Sequence, residues 1–444
     1  MILLERFTQL VDVQPDTVFI KGENYQITFE ELSFAIGGRT KSLTGVGITN
    51  GLRIAIILDN YRDIIEVLLS CWQLGAIPVL ISSNATISEK NLFITCSHPD
   101  MIITNWEISE DLLHIDIPVF HIEELSQGFG GCAPSQLYDK SNLDQIRLIL
   151  FTSGSTGTPK AVQLTERNLI ESATTWHEQL QFNQNDIYLN CLPMHHIGGI
   201  SIFIRSLMYG FSTYQLNGFN IQSIANLIKS EEISLISMVP TMLQRLLDKT
   251  ENKLPSSLRG LIVSGGPSSE NLMNRCITHD IPVYKSYGMT ETSSGVCGFW
   301  LHDYPSKFDS VGFPFIKTKF QVNDSVLHIS GPTIMSGYFQ EEPIGDWLDT
   351  GDFASIDDEG FIYINMRRDD RIVTGGENVN PKEVEKVLLS HPQITFAKVY
   401  GEPNEEWEKM VVAEISTDLQ TDEIHAWLFG KISDYKIPKV FYLK

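Results

Sequence analysis

Apolar residues recur along the chain in short unbroken runs rather than at alternate positions. Arg53-Ile54-Ala55-Ile56-Ile57-Leu58 leads into a helical pattern over 63–74, and Gly75-Ala76-Ile77-Pro78-Val79-Leu80-Ile81 follows as a second run. Further runs stand at 101–104 and 119–121. Strands that are apolar almost throughout and alternate with helices predict a parallel sheet covered on both faces. A second unit repeats the pattern, with strands over 186–192, 235–239 and 260–264 and helices over 221–229 and 241–248. Before both units, residues 1–50 predict a helix, a hairpin pairing 18–20 with 25–27, and a helix over 29–43. Thr28 and Glu31 have the capping-box spacing that opens this last helix.

Later the texture changes. From 311 to 364, short strands alternate with turns and predict a small antiparallel subdomain. Arg367-Arg368-Asp369-Asp370-Arg371 is a dense charge run suited to a linker. Beyond it come a strand at 371–373, a Gly375-Gly376 turn, a helix over 381–390, strands at 395–400 and 410–416, and a helix over 421–433. The expected fold class is α/β. A large N-terminal domain, 1–368, has parallel-rich βαβ layers with the antiparallel subdomain, and a small α+β domain occupies 369–444. Residues 126–143, rich in Gly and Ser, read as a surface connection.

With 444 residues, 42% hydrophobic and 20% charged, the chain reads as a soluble protein of more than one domain. A net charge of −22 argues against a general nucleic-acid binder, although a local basic site can still hold a phosphorylated ligand. No run is long enough to span a bilayer, and the first residues lack a signal-peptide pattern. The six cysteines, Cys71, Cys96, Cys132, Cys191, Cys276 and Cys297, have no paired spacing, as expected of reduced thiols in a cytoplasmic protein.

Candidate chemistry gathers where strands end. Thr152-Ser153-Gly154-Ser155-Thr156-Gly157-Thr158-Pro159-Lys160 holds five hydroxyls, two glycines and one lysine, entered from an apolar strand. Glycines allow close backbone approach, and the hydroxyls and Lys160 add donors, so the stretch suits a polyphosphate. It is not a Walker loop, because Ala161 follows the lysine, and 161–164 reads as a returning strand. By composition alone, a ligand-free polar hairpin tip fits equally well. Three more loops of unusual composition, 193–199, 264–268 and 286–292, follow strands of the second unit. In open α/β sheets, ligands lie outside the carboxyl ends of the strands.

The loop at 152–160, Tyr287-Gly288-Met289-Thr290-Glu291, Thr350-Gly351-Asp352 and the run Arg367 to Glu385 stand in one order along nearly the whole chain. Together they resemble the core motifs of adenylate-forming enzymes, the superfamily of acyl- and aryl-CoA synthetases, peptide-synthetase adenylation domains and beetle luciferases. Within it, His196-Ile197-Gly198-Gly199-Ile200-Ser201 with Arg205, the run 288–294 and Gly375-Gly376-Glu377-Asn378 are most similar to the o-succinylbenzoate–CoA ligases of menaquinone synthesis. The resemblance implies a carboxylic acid, ATP and coenzyme A as substrates, with Mg²⁺ as cofactor. The acid would be activated as an acyl-adenylate and passed to the thiol.

It also implies roles for residues. Thr152, Ser153, Gly154, Ser155, Thr156, Gly157 and Lys160 would hold the β- and γ-phosphates. Thr290 would touch the α-phosphate, and Glu291 would hold Mg²⁺. Tyr287 and the Gly265-Gly266-Pro267 turn would enclose the adenine, and Asp352 and Arg367 the ribose. His196 would gate the acid pocket, with Gly198 and Gly199 leaving room for a flat ring and Ser201, Ser286, Thr241 and Thr292 on its walls. Arg205 either meets a second carboxylate on the substrate or pairs with a local acid. Asp369 would be the hinge of a mobile small domain. Gly375 and Gly376 would line the pantetheine tunnel, with Trp407 near coenzyme A. A homo-oligomer is compatible with these readings.

Three departures stand out. His195 replaces the aromatic residue before His196, and Glu408 replaces the glycine after Trp407. The Gly-Lys segment whose lysine serves adenylation in the family does not follow Lys439. The expectation is weak adenylation by this 444-residue form. A ligase for another aryl or fatty acid, and an adenylate-binding module with impaired adenylation, are the competing readings.

Overall fold

The computed structural model describes residues 2–105, 116–125, 142–152, 158–230, 233–367, 372–404 and 406–444, leaving aside the side chains of 365–367 and 382. Two large sheets carry the fold. In the first, strands Arg53–Ile57, Ile77–Leu80, Met101–Thr104 and Val119–His121 pair in parallel, as their continuous apolar runs predict. Ile146–Thr152 joins them in parallel, and Lys160–Thr165 returns beside it as an antiparallel hairpin partner. Gly337–Tyr338 closes that edge.

In the second sheet, Val18–Gly22, Ser212–Gln215, Ile187–Asn190, Leu235–Met238, Gly260–Val263 and Val283–Met289 lie side by side, all parallel. Antiparallel strands finish both edges: Tyr25–Thr28 on one side, Ser294–Trp300 and Phe313–Pro314 on the other. Helices pack on the sheets with local signals in place. Asn60 caps Tyr61–Leu74 through the Arg62 N–H at 2.9 Å, and Gly75, at φ +73°, ends it. Thr28 and Glu31 form the expected capping box on helix Phe29–Gly45.

The antiparallel subdomain is a four-stranded sheet of Lys319–Asn323, Val326–Ser330, Leu348–Ile356 and Ile362–Arg367. The C-terminal part has its own core around Val384, Leu388, Val411 and Ile424. There, hairpin Ile372–Thr374/Glu377–Val379 and strands Phe396–Asn404, Glu408–Ser416 and Val440–Leu443 form one sheet.

Two expectations change. Residues 286–289 are not loop but the end of strand Val283–Met289, held by antiparallel pairing with Ser294–Trp300, a glycine-interrupted strand that the sequence did not predict. The helix expected over 421–433 is Thr421–Leu428, and Gly430 at φ +74° turns the chain just beyond it. Most of the connection at 126–143 lies outside the described residues. Cys71, Cys191, Cys276 and Cys297 are buried free thiols and Cys96 a half-buried one; Cys132 lies outside the described residues. No helix among the described residues is long and apolar enough to cross a membrane.

Candidate active site

The hairpin of Ile146–Thr152 and Lys160–Thr165 places Thr152 opposite Lys160, so residues 153–159 connect across its end. Ser153 to Gly157 themselves lie outside the described residues. Thr152 Oγ1 donates to Glu291 Oε1 at 3.2 Å, and the Tyr338 hydroxyl donates to the same oxygen at 3.0 Å. Glu291 is buried, and its backbone carbonyl accepts from the Met335 N–H at 2.9 Å. A buried carboxylate fixed by two hydroxyls is no ordinary surface acid. Thr290 opens the same one-turn helix, Thr290–Thr292. Lys160 Nζ lies 3.2 Å from Glu341 and 4.3 Å from the centre of the Tyr338 ring, so the lysine stands beside the same cluster.

On the nucleotide side, the Tyr287 hydroxyl donates to Asp352 Oδ2 at 2.6 Å. Asp352 is buried, and its N–H donates to Thr350 Oγ1 at 3.0 Å. Gly351, at φ +69°, makes that turn, and Asp352 pairs in the sheet with Arg367, whose side chain is outside the description. Gly265 sits at φ +84° after strand Gly260–Val263 and turns the chain into Gly266 and Pro267. A Cβ on Gly266 would come within 3.2 Å of Val373 in the C-terminal part.

The acyl side is built on helix Ile197–Tyr209, which begins after His196. Here the room expected from two glycines has a different cause. A Cβ on Gly199 would strike the carbonyl oxygens of Pro193 and Leu192 at 2.3 and 2.6 Å, so the glycine fits the helix to its own loop. Ser201 is buried and spends its hydroxyl on the Gly198 carbonyl at 3.4 Å. Ser286 donates to the Cys297 carbonyl at 2.8 Å, and Thr292 to the Ser294 carbonyl at 2.7 Å, so these hydroxyls brace the wall. His195 lines a cavity of about 450 Å³ with Asp59, Tyr61 and Met194. Burial, then the neighbouring His196, holds its pKa well below the usual histidine range.

Arg205 lies within the helix, two turns past His196, and is buried. Its Nη2 donates to Ser294 Oγ at 2.7 Å, and its guanidinium stands 4.4 Å from the Trp176 ring centre. Among the described residues no carboxylate pairs with it. Burial pushes its pKa down to about 10 against the favourable Tyr188 hydroxyl. Arg205 Nε and Trp176 Nε1 are both buried without a hydrogen-bond partner among the described residues. Ser293 and Ser294 hold φ of +56° and +118°, a strained stretch on this wall. Arg205 is thus a buried cation with an unmet donor and a strained wall beside it.

The C-terminal part closes over these elements. A Cβ on Gly376 would lie 2.5 Å from Val239, and one on Gly375 would lie 2.8 Å from the Trp407 ring. Both glycines have positive φ, so sterics and backbone conformation exclude a side chain at each. Arg245 bonds Glu406 at 2.8 Å and stacks 4.9 Å from the Trp407 ring. Lys436 bridges Glu89 and Glu383, each at 2.8 Å, and all three are largely buried. Across the mouth, His196 Nε2 faces Glu377 at 3.7 Å. Burial opposes charge on both, but the mutual attraction outweighs it, raising the histidine and lowering the carboxylate. Asp369 lies outside the described residues.

Sequence reasoning missed Tyr338, Glu341 and Trp176, whose neighbours in the chain spell no motif, and quoted Ser294 within the run 288–294 without giving it a role. Glu377 was quoted within a glycine motif without a role, although its acid type beside His196 was the available signal.

Comparison with known proteins points to one family. Residues 7–339 match the AMP-binding enzyme family, and residues 383–444 match the AMP-binding enzyme C-terminal domain. A 2-succinylbenzoate–CoA ligase of Bacillus mycoides is 32% identical over 96% of this chain and 91% of its own length. Among solved structures, a double mutant of o-succinylbenzoate CoA synthetase from Bacillus subtilis, bound to the product analogue OSB-NCoA, superposes with a TM-score of 0.92. It is 29% identical, covering 99% of this chain and 94% of that one. The same synthetase with ATP and magnesium gives 0.77 at 29% identity, covering 99% of this chain and 95% of that one. The chain belongs to the AMP-binding enzyme family.

Proposed function

We propose that the chain is an AMP-forming acid–CoA ligase whose acid is 2-succinylbenzoate. In the first half-reaction a carboxylate oxygen attacks the α-phosphorus of ATP, and pyrophosphate leaves. In the second, the coenzyme A thiol attacks the acyl carbon, its proton is lost, and AMP leaves with the electron pair of the broken bond. Lys160 and the loop from Thr152 would neutralise the leaving pyrophosphate. Glu291 fits a Mg²⁺ that keeps most of its waters, since one buried, hydroxyl-braced carboxylate suffices for such a site. When bound, Mg²⁺ supplies charge neutralisation on the phosphates. Tyr287 orients Asp352 toward the ribose, with Gly265, Gly266 and Pro267 at the adenine and Thr290 at the α-phosphate.

Arg205 carries the substrate reading. An acid with a single carboxylate spends it on the α-phosphorus and leaves nothing to answer a buried cation. 2-Succinylbenzoate has a second carboxylate, which Arg205 Nε and Trp176 Nε1 would satisfy by charge-assisted hydrogen bonds. The higher TM-score with the CoA-analogue complex than with the ATP complex supports reading the closed C-terminal part as the thioester-forming arrangement. In it, Gly375, Gly376 and Trp407 border the pantetheine path, and Asp369 is the hinge between 1–368 and 369–444. The free thiols support a cytoplasmic setting.

The test is a panel of carboxylic acids with ATP, Mg²⁺ and coenzyme A, read by mass spectrometry of the thioester. The expected product is 2-succinylbenzoyl-CoA. Thioesters from simple benzoates or fatty acids, with none from 2-succinylbenzoate, would overturn the reading.

A further inference from the structure

Glu408 stands where the family resemblance calls for glycine, and it keeps a glycine-like backbone at φ +59°. Its side chain lies in the seam between the two parts of the molecule. Oε2 accepts from the Gly375 N–H at 3.1 Å. Oε1 is buried without a well-formed hydrogen bond among the described residues. It lies 3.7 Å from where a Cβ on Gly266 would be, beside Pro240 and Val373. The Thr241 backbone amide also faces the carboxyl group. That amide belongs to the first turn of helix Pro240–Thr250, which has no side-chain cap of its own.

The charged groups around the seam are engaged with one another. On helix Pro240–Thr250, Arg245 holds Glu406 and lies over Trp407. On the hairpin, Glu377 holds His196. On Glu408's own strand, the Lys409 stem packs by Gly401. None of them offsets the burial of Glu408, which pushes its pKa up to about 7 from an ordinary 4.5.

We propose that Glu408 is a protonation-dependent positioning residue, seating the C-terminal part over Gly266 and Pro240 as a neutral acid and releasing it as a carboxylate. The proposal rests on reading the closed arrangement as the thioester-forming one. An acid whose pKa is higher docked than undocked favours docking while protonated. Docking therefore weakens as pH rises from the ordinary value through the docked one. Between pH 6 and 8 the docked-to-undocked ratio falls about tenfold.

The experiment uses the full chain with a donor dye at exposed Val13 and an acceptor at exposed Phe429. Transfer efficiency is followed from pH 5.5 to 8.5 without substrates, so the outcome is independent of which acid the enzyme takes. The wild type should lose docking with a midpoint at or below about 7. E377Q, which removes the His196 partner and with it that pair's own pH dependence, should keep the step, and E377Q/E408Q should be flat and docked throughout. E377Q/E408G, suited to the backbone, should also be flat, and it decides the matter if E377Q/E408Q fails the circular-dichroism check for folding. A wild type without the step, a step surviving in both Glu408 variants, or a step lost in E377Q would overturn the proposal.

Discussion

Lys160 and Arg205 are both cations, and their surroundings give them opposite tasks. Lys160 is a third exposed and shares its charge with Glu341 across solvent, so it can turn to a phosphate at little cost. Lys160→Ala should slow substrate-dependent ATP–pyrophosphate exchange by on the order of 100-fold, leaving thioester formation from a preformed acyl-adenylate unchanged. Equal loss of both steps would rule out a pure phosphate role. Arg205 is buried with no acid to answer it among the described residues, a state that proteins keep where a ligand supplies the missing charge. Thr152, Tyr287, Glu291 and Asp352 were legible in the sequence because each lies in a short motif. Tyr338 and Glu341 were not, since they reach Glu291 and Lys160 only when strand Gly337–Tyr338 folds onto the hairpin edge.

At the scale of elements, the parallel strands were legible because burial on both faces demands continuous apolar runs. The antiparallel strand Ser294–Trp300 was not, because Gly295 and Gly298 break its apolar run where a side chain would collide. A Cβ on Gly288 would sit 2.0 Å from the Ser294 carbonyl oxygen, at the bulge between Tyr287 and Gly288. Gly288→Ala should cost about 1–3 kcal/mol, read as a lowered Tm. A Tm unchanged within error would contradict this packing. Gly376 is tested by function instead. Its Cβ would strike Val239 in the other part of the molecule. Gly376→Ala should therefore slow the acyl-adenylate to thioester step more than about tenfold, the effect of misplacing reacting groups, while pyrophosphate exchange stays intact. Equal loss in both assays would contradict the closed arrangement.

For the whole molecule, the closed seam depends on pairs that span it. His196 is held above its ordinary pKa by Glu377, so this contribution is full below the ordinary histidine value and fades as pH rises through the raised one. Lys436, between Glu89 and Glu383, is the strongest clasp by geometry. Lys436→Met leaves two buried carboxylates facing each other and should slow thioester formation while sparing pyrophosphate exchange. A selective loss of exchange would contradict that assignment. None of these pairs was legible in the sequence, since the members that span the seam lie far apart in the chain, 347 residues for Glu89 and Lys436, and meet only after the two parts close. The most direct test compares kcat/KM for 2-succinylbenzoate with that for whichever of its two monomethyl esters keeps the reacting carboxylate free, in wild type and in Arg205→Met. The wild type should prefer the free acid by about 100-fold, in line with a buried charge-assisted pair, and Arg205→Met should bring the ratio near one. Equal use of both acids by the wild type, or an undiminished preference in the variant, would contradict the account.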